Sequence, residues 1–217
     1  MITPSTVVYV TPKSPSHTIT PYRSLRRVSA SSVMPVTLQE AKTQARVDAD
    51  HDDAYITSLI IAATEWAEDQ CDTAFRPVTW EASYDSFPMW ELILPRPPAA
   101  TSQVTITYRD EGGTDRQIVS GTDFQFDSAT FLARCYPKYA QVWPPVRGDE
   151  NSVRVRWDAG YATPAETPAV ARHLILLLVA HWYENREPVV HGQGMSSLDI
   201  PYTVATLLEH SRTGVYR

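Results

Sequence analysis

The segment from Thr167 to Pro188 constrains the fold more strongly than any other part of the sequence. Thr167 suits a helix N-cap, Pro168 suits the first helical turn, and Pro188 prevents the helix from continuing, so the segment predicts a helix about 30 Å long. Apolar residues cover its middle on all sides, and the residues expected to face the core are Val170, Leu174, Leu177, Leu178 and Trp182. Such a helix must be covered by the rest of the chain or by a neighbouring copy.

The length of the apolar run argues against a membrane-spanning helix. The uninterrupted run, Leu174–Ala180, is far shorter than the roughly 20 residues that a bilayer requires, and His173 and His181 flank it. The sequence therefore predicts a buried helix and no membrane partner.

Charge is distributed unevenly along the chain. The net charge of the chain is −6. Residues 1–39 contain four basic residues and no acidic one, a charge of +4, so the remainder carries −10. Residues 1–34 are rich in Ser, Thr and Pro, which predicts a basic, extended N-terminal arm. We expect Lys13, Arg23, Arg26 and Arg27 of this arm to dock onto an acidic face of another subunit. The alternative is an arm that folds back over its own domain.

Residues 35–76 are expected to form the first part of a helical core. Thr37 and Glu40 have capping-box spacing, which predicts a short helix ending near Val47. A second, longer helix is predicted over Asp52–Cys71, with Asp50 or Asp52 as its cap. The acidic run before it resembles the opening of a calcium loop but lacks the turn glycine and the final glutamate, so no calcium site is expected.

Alternating apolar residues predict an antiparallel β-module over residues 77–158. The predicted strands are Val78–Tyr84, Glu91–Leu94, Val104–Tyr108, Gln117–Val119, Phe124–Phe126, Phe131–Ala133 and Val153–Trp157, with a hairpin turn at Asp110–Asp115. The expected fold class is therefore α+β: a helical core of three main helices plus a short C-terminal helix, with an inserted small antiparallel β-module. In this predicted division of the chain, residues 159–188 contain the long core helix.

Residues 189–217 are predicted to be a C-terminal hinge and docking segment. A glycine-containing stretch, Gly192–Gly194, precedes a short amphipathic pattern that cannot form a stable helix alone. The residues proposed to contact a partner are Tyr202, Val204, Leu207, Leu208, Arg212, Tyr216 and Arg217. In the alternative interpretation, this helix packs back on Thr167–Glu187.

The sequence contains no recognisable catalytic or metal-binding motif. It has no nucleophile elbow, phosphate-binding glycine loop or HExxH motif, and Cys71 and Cys135 lie far apart without CxxC spacing. His173 and His181 are eight residues apart on the predicted helix, which is poor spacing for a shared metal. We therefore expect no enzymatic activity, cofactor or metal.

Four blocks together resemble phage head–tail connector proteins of the gp6-like kind, in the phiE125 gp8-like branch. The blocks are Val36–Lys42, Asp50–Ile60 with Ala63–Trp66, Val153–Tyr161, and Pro168–Val170 with Leu174–Pro188. The resemblance covers residues 36–217 in outline and leaves out the arm. It implies a structural virion protein of the neck, assembled in the host cytoplasm. Typically twelve copies form a ring beneath the portal, which joins head to tail and extends the DNA channel.

The resemblance also implies the partners. They are other copies of the chain, the portal protein, the next tail or head-completion protein, and double-stranded DNA that passes without tight binding. The C-terminal segment would then be the portal-docking element. The main competing hypothesis is a nucleic-acid-binding module that uses Arg23, Arg26 and Arg27 with Arg154 and Arg156; it requires tight, strongly salt-dependent binding.

Replacing Leu174 with Asp tests the assignment of the long helix to the core. A carboxylate buried without a partner costs several kcal/mol, so the Leu174→Asp protein is expected to be unfolded or to melt far below wild type. Circular dichroism during heating measures the effect, and His173→Asp on the same helix is the control. A Leu174→Asp protein that melts like wild type would contradict the core assignment.

Overall fold

The computed structural model describes residues 22–186 and Leu207, except for the side chains of residues 100–103. Within these residues the chain forms three α-helices: α1 (Leu38–Ala45), α2 (Asp53–Cys71) and α3 (Ala169–Glu184). It also forms eight β-strands: β1 (Ser24–Ala30), β2 (Val78–Tyr84), β3 (Leu92–Ile93), β4 (Ala99–Arg109), β5 (Asp115–Val119), β6 (Phe124–Asp127), β7 (Arg134–Pro137) and β8 (Val153–Ala159).

The strands form two antiparallel sheets that share one core. The larger sheet has the order β1-β2-β8-β4-β5 and the smaller one the order β3-β7-β6. In the larger sheet, Ala82, Val155 and Ile106 lie opposite one another and are fully buried, while the alternate positions face outward. We call the buried apolar residues of both sheets the β core; its largest members include Trp157 and Phe124.

The three helices bury a second, separate set of apolar residues, which we call the helical cluster. Its fully buried side chains include Ile56 of α2 and Leu174 and Leu178 of α3. Glu40, the capping-box residue of α1, forms an ion pair with Arg172 of α3, which ties these two helices together. None of the described helices is long and apolar enough to cross a bilayer.

The buried side of α3 differs in part from the predicted one. The buried residues recur at helical spacing as Ala171, Leu174, Ile175, Leu178 and Val179. The other predicted core residues, Val170, Leu177 and Trp182, are only half-buried. The described chain therefore covers one side of α3 fully and leaves the adjacent side partly open.

The expected fold class, a helical core with a small inserted β-module, is wrong. The described strands hold about as many residues as the helices, and the two sheets contain the larger of the two buried clusters. Part of the difference comes from β1, which lies in the predicted arm and pairs along its length with β2. The module is therefore half of the fold and not an insertion.

Of the N-caps of α1 and α3, the first agrees with the sequence prediction and the second does not. The capping box of α1 is confirmed: the Thr37 N–H donates to Glu40 Oε2 (2.8 Å), and the Glu40 N–H donates to Thr37 Oγ1 (3.2 Å). The predicted cap of α3 is wrong, since the helix begins at Ala169 with Pro168 at the N-cap position. The Thr167 hydroxyl instead donates to the Phe75 carbonyl, 3.3 Å away, and so joins the start of α3 to the α2–β2 connection.

Gly160 lies where the end of β8 passes the start of β2. It has a φ of +94°, and a Cβ at this position would lie 2.0 Å from the Arg76 carbonyl oxygen. Only glycine allows the two backbones to approach this closely.

Substituting Gly160 with Ala should therefore destabilise the fold by well over the ~1 kcal/mol that a positive φ alone costs. Gly121→Ala is a matched control, because Gly121 has a φ of +80° but nothing within 4 Å of its added Cβ. Urea denaturation of both variants measures the difference. Equal losses of unfolding free energy in the two variants would show that the close approach is unimportant.

Candidate functional site

Acidic side chains near the start of α2 bind cationic groups of the protein itself. Lys42 Nζ lies 2.6 Å from Asp50 and 2.8 Å from Asp53, so an ammonium group occupies the loop that resembles a calcium site. Asp52, one of the two predicted caps, occupies the N-cap position of α2, but its side chain makes no capping bond. Among the described residues, no group of three or more His, Cys, Asp or Glu side chains could hold a metal ion.

Asp52 instead fixes the C-terminal end of α3. Its carboxylate accepts hydrogen bonds from the Tyr183 hydroxyl (2.6 Å) and from Arg186 (2.8 Å), and these bonds lower the pKa of Asp52. The Arg186 guanidinium also lies over the rings of Tyr55 and Tyr183, at 4.7 and 4.8 Å. The start of α2 therefore determines where the chain leaves α3 toward the C-terminal segment.

The arginines of the predicted arm are paired with acids of their own chain. Arg23 contacts Asp85 (3.1 Å) and Glu150 (2.9 Å), Arg26 contacts Glu81 (2.6 Å), and Arg27 contacts Glu65 (3.0 Å). Residues 1–39 offer these arginines no acid, but the fold brings them beside acids more than 30 positions away in the same chain. Their predicted contact with another subunit stays a prediction, and Lys13 lies outside the described residues.

The outer face of the larger sheet brings together the arginines of the nucleic-acid hypothesis. Glu81 accepts hydrogen bonds from both Arg26 (2.6 Å) and Arg156 (2.8 Å), and Arg154 pairs with Asp115 at 2.6 Å. Burial acts to raise the pKa of Glu81, but the bonds from the two arginines outweigh it and the pKa is lowered. Each of these guanidiniums is therefore already matched by a carboxylate, which disfavours phosphate binding.

Four strongly exposed apolar side chains lie in two loops that the sequence analysis did not select. They are Met89 (81% exposed), Trp90 (77%), Tyr139 (97%) and Val142 (88%), and we call them the apolar patch. Strand alternation does not extend into these loops, so the sequence gives no sign of which aromatic residues are buried. Trp157 and Tyr84, by contrast, belong to the β core.

The predicted C-terminal contact residues lie almost entirely beyond the described residues. This applies to Tyr202, Val204, Leu208, Arg212, Tyr216 and Arg217. Leu207 is described, and its partly buried side chain packs against the helical cluster of its own chain.

The described surface combines exposed apolar side chains with internally paired charges, which is typical of a protein that assembles with other proteins. Residues 35–132 match the model of the phage gp6-like head-tail connector protein family. The resemblance inferred from the sequence is confirmed at this level, and the phiE125 gp8-like branch stays a prediction. No curated protein matches the chain.

Solved structures with a similar fold come from gene transfer agent (GTA) particles. A chain from the neck of an empty GTA particle, computed with C6 symmetry, has a TM-score of 0.66 and 22% identity over 87% of this chain and 95% of its own. A chain from the virion of a native GTA particle has a TM-score of 0.66 and 20% identity, covering 87% and 94%. A chain from the neck of a native particle, computed with C12 symmetry, has a TM-score of 0.62 and 20% identity with the same coverage.

Glu81→Gln tests whether the paired charges on the outer face stabilise the fold. Because the folded-state pKa of Glu81 is lowered, its stabilisation is present above the unfolded value of 4.5 and is lost as the pH falls through the folded pKa. We expect a loss of about 1 kcal/mol at pH 7, which shrinks toward zero in acid. Chemical denaturation at pH 7 and at a pH below 4.5 measures the free energy of unfolding of wild type and variant. Glu111→Gln, at an exposed position, is the control. A loss independent of pH would contradict the charge pairing.

Proposed function

We propose that this protein is a structural component of the virion neck that joins the capsid head to the tail. The match of residues 35–132 to the gp6-like connector family carries this proposal, because the matched segment includes α1, α2 and most of the strands. The fold shared with chains from GTA necks and virions supports it. Connectors of this family are structural proteins, which favours a role in assembly over catalysis.

In this proposal, copies of the chain form a closed ring beneath the portal, typically of twelve subunits. A ring of identical subunits requires two different surfaces on each copy that fit one another. The partly open side of α3, with Leu177 and Trp182 half-buried, offers one apolar surface for a neighbour. The C6 and C12 symmetries belong to the GTA necks, and they support a ring by analogy of fold.

The ring would extend the DNA channel toward the next tail or head-completion protein. DNA must slide through such a channel, so cations that hold phosphates would hinder it. The net charge of −6 and the carboxylate partners of Arg26, Arg154 and Arg156 suit passage without tight binding. This charge pattern favours the connector role over the nucleic-acid-binding module.

We further propose that the C-terminal segment docks on the portal. The bonds from Tyr183 and Arg186 to Asp52 place its origin at the start of α2, which is the end of that helix away from the β core. The contact of Leu207 with the helical cluster favours the competing interpretation, in which the segment completes its own subunit. A truncation separates the two.

The oligomeric state of the purified chain, alone and with the portal of the same particle, tests the proposed function. We expect mass photometry or native mass spectrometry to show a complex of about twelve copies on the portal, because ring contacts and portal contacts reinforce one another. A chain that stays monomeric and unbound at micromolar concentration with portal would contradict the proposal.

Truncation after Ser197 serves as the matched variant in this experiment. If the segment docks on the portal, the truncated protein should melt close to wild type and lose portal binding. A truncated protein that is insoluble, or that binds portal normally, would contradict the docking role and favour a segment that packs on its own subunit.

A further inference from the structure

The apolar patch forms at one end of the larger sheet because two loops leave the smaller sheet side by side. In that sheet β3 and β7 are antiparallel, with Leu92 opposite Cys135. Continuing this register places Trp90 opposite Pro137 and Met89 next to the segment that leads into Tyr139. The Glu91 carboxylate, which accepts from Arg134 at 2.9 and 3.0 Å, holds the two segments together beside this point.

Stacked aromatic rings close the two loops at their other ends. The rings of Phe87 and Trp143 stack with centroids 4.8 Å apart and an interplanar angle of 3°, and Phe87 also contacts Tyr108. Both rings belong to the β core or pack against it. The stacked rings of Phe87 and Trp143 thus anchor both patch loops on the β core.

The N-terminal arm enters the fold at this same end. Strand register places Tyr84, Val153 and Tyr108 together at the end of the sheet that is farthest from the helices. β1 begins at this end, with Ser24 opposite Ser83. Arg23 anchors the entry point, because it contacts Asp85 at the start of one patch loop and Glu150 near the end of the other.

Residues 1–21 contain one run whose chemistry matches the patch. In Thr6–Val10 all five residues are β-branched or aromatic, and none is charged. Eleven residues lie between Val10 and Tyr22, so the extended chain can span about 40 Å from the entry point. That reach exceeds the width of one subunit's sheet and allows contact with the adjacent copy.

We propose that Thr6–Val10 of one copy docks on the apolar patch of the neighbouring copy, so that the arms link the subunits around the ring. This inference rests on the proposed ring. The four side chains of the patch are 77–97% exposed, and a cluster of exposed apolar side chains marks a protein contact. Each copy carries both the Thr6–Val10 run and an apolar patch, so the same contact can repeat from copy to copy around the closed ring.

Disulfide trapping between two variants that each carry one introduced cysteine tests the proposal. Val8→Cys and Val142→Cys full-length chains are mixed, assembled on portal and oxidised, and non-reducing electrophoresis then shows whether a disulfide joins two chains. The native Cys71 and Cys135 are buried, and burial raises the pKa of the Cys135 thiol to about 12, so both should stay unreactive. Val119→Cys replaces Val142→Cys in the control, because Val119 is an exposed valine at the end of the edge strand β5 and lies outside the two patch loops.

We expect the Val8–Val142 pair to yield several-fold more cross-linked dimer than the Val8–Val119 pair. Adding Trp90→Ser to the Val142→Cys chain should lower that yield, since Trp90 is mostly exposed and its loss leaves the fold intact. Equal yields for the two pairs would overturn the proposal. A disulfide that forms only within a Val8→Cys/Val142→Cys double variant, and never in the mixture, would also overturn it and assign the patch to the chain's own arm.

The same samples separate this inference from the proposed function. Rings that assemble on portal but give no specific cross-link overturn the arm contact and leave the connector role standing. Failure to form any complex with portal overturns the connector role itself.

Discussion

The buried side chain of Arg76 joins the helical cluster to the β core. It is 4% exposed, donates to Glu65 at 2.8 Å, and its Nε lies 3.5 Å from the carboxylate of Glu68. Glu68 also accepts from the backbone N–H groups of Phe75 and Arg76, at 2.9 and 3.2 Å. Burial raises the pKa of Glu68 despite the nearby Arg76, so holding this carboxylate ionised costs free energy. The ion pair fixes the relative positions of the two halves, and removing Arg76 would leave the buried Glu68 carboxylate without its guanidinium partner.

The segments that build both halves of the fold meet around this ion pair. The Arg96 guanidinium donates to the Glu68 carbonyl before β4 begins, and Thr167 donates to the Phe75 carbonyl before α3 begins. β1 reaches the same place, where the Ser31 N–H donates to the Pro77 carbonyl (2.9 Å). Thus the α2–β2 connection sets the positions of β1, β4, β8 and α3 together. The two buried clusters are separate, yet neither can shift without breaking bonds at this junction.

The sequence predicts those parts of the fold that depend on near neighbours. The capping box at Thr37 and Glu40, the hairpin between β4 and β5, and the alternating strands β2 and β8 all use signals within a few residues. β1 was missed because adjacent arginines at positions 26 and 27 break the alternation, as an edge strand exposed on both faces permits. The predicted strand at Phe131–Ala133 is shifted by three residues in the structure, since pairing with β3 and β6 selects Arg134–Pro137.

The candidate contact surfaces were harder to predict, for a related reason. The partners of Arg23, Arg26 and Arg27 lie 38 to 127 positions away in the sequence, and no local pattern reports such pairs. The exposure of Met89 and Trp90 also depends on loops that only the tertiary fold brings together. The family resemblance, by contrast, can be recognised from the sequence because it rests on helix signals in a fixed order. The family match over residues 35–132 includes the two blocks that begin at Val36 and Asp50.

The two ends of the described chain lie at opposite ends of its architecture, and this arrangement follows from strand and helix direction. β1 begins beside Tyr84, at the end of β2 away from α2. α3 ends beside Asp52, at the end of α2 away from β2. The junction at Arg76 lies between these two ends and fixes one half of the fold on the other. Residues before β1 and residues after α3 therefore start from separate places, so each segment can reach a neighbour without competing for the same surface. This separation suits the neck subunit that we propose, and it depends on the bonds of the Arg76 junction, which hold the two halves together.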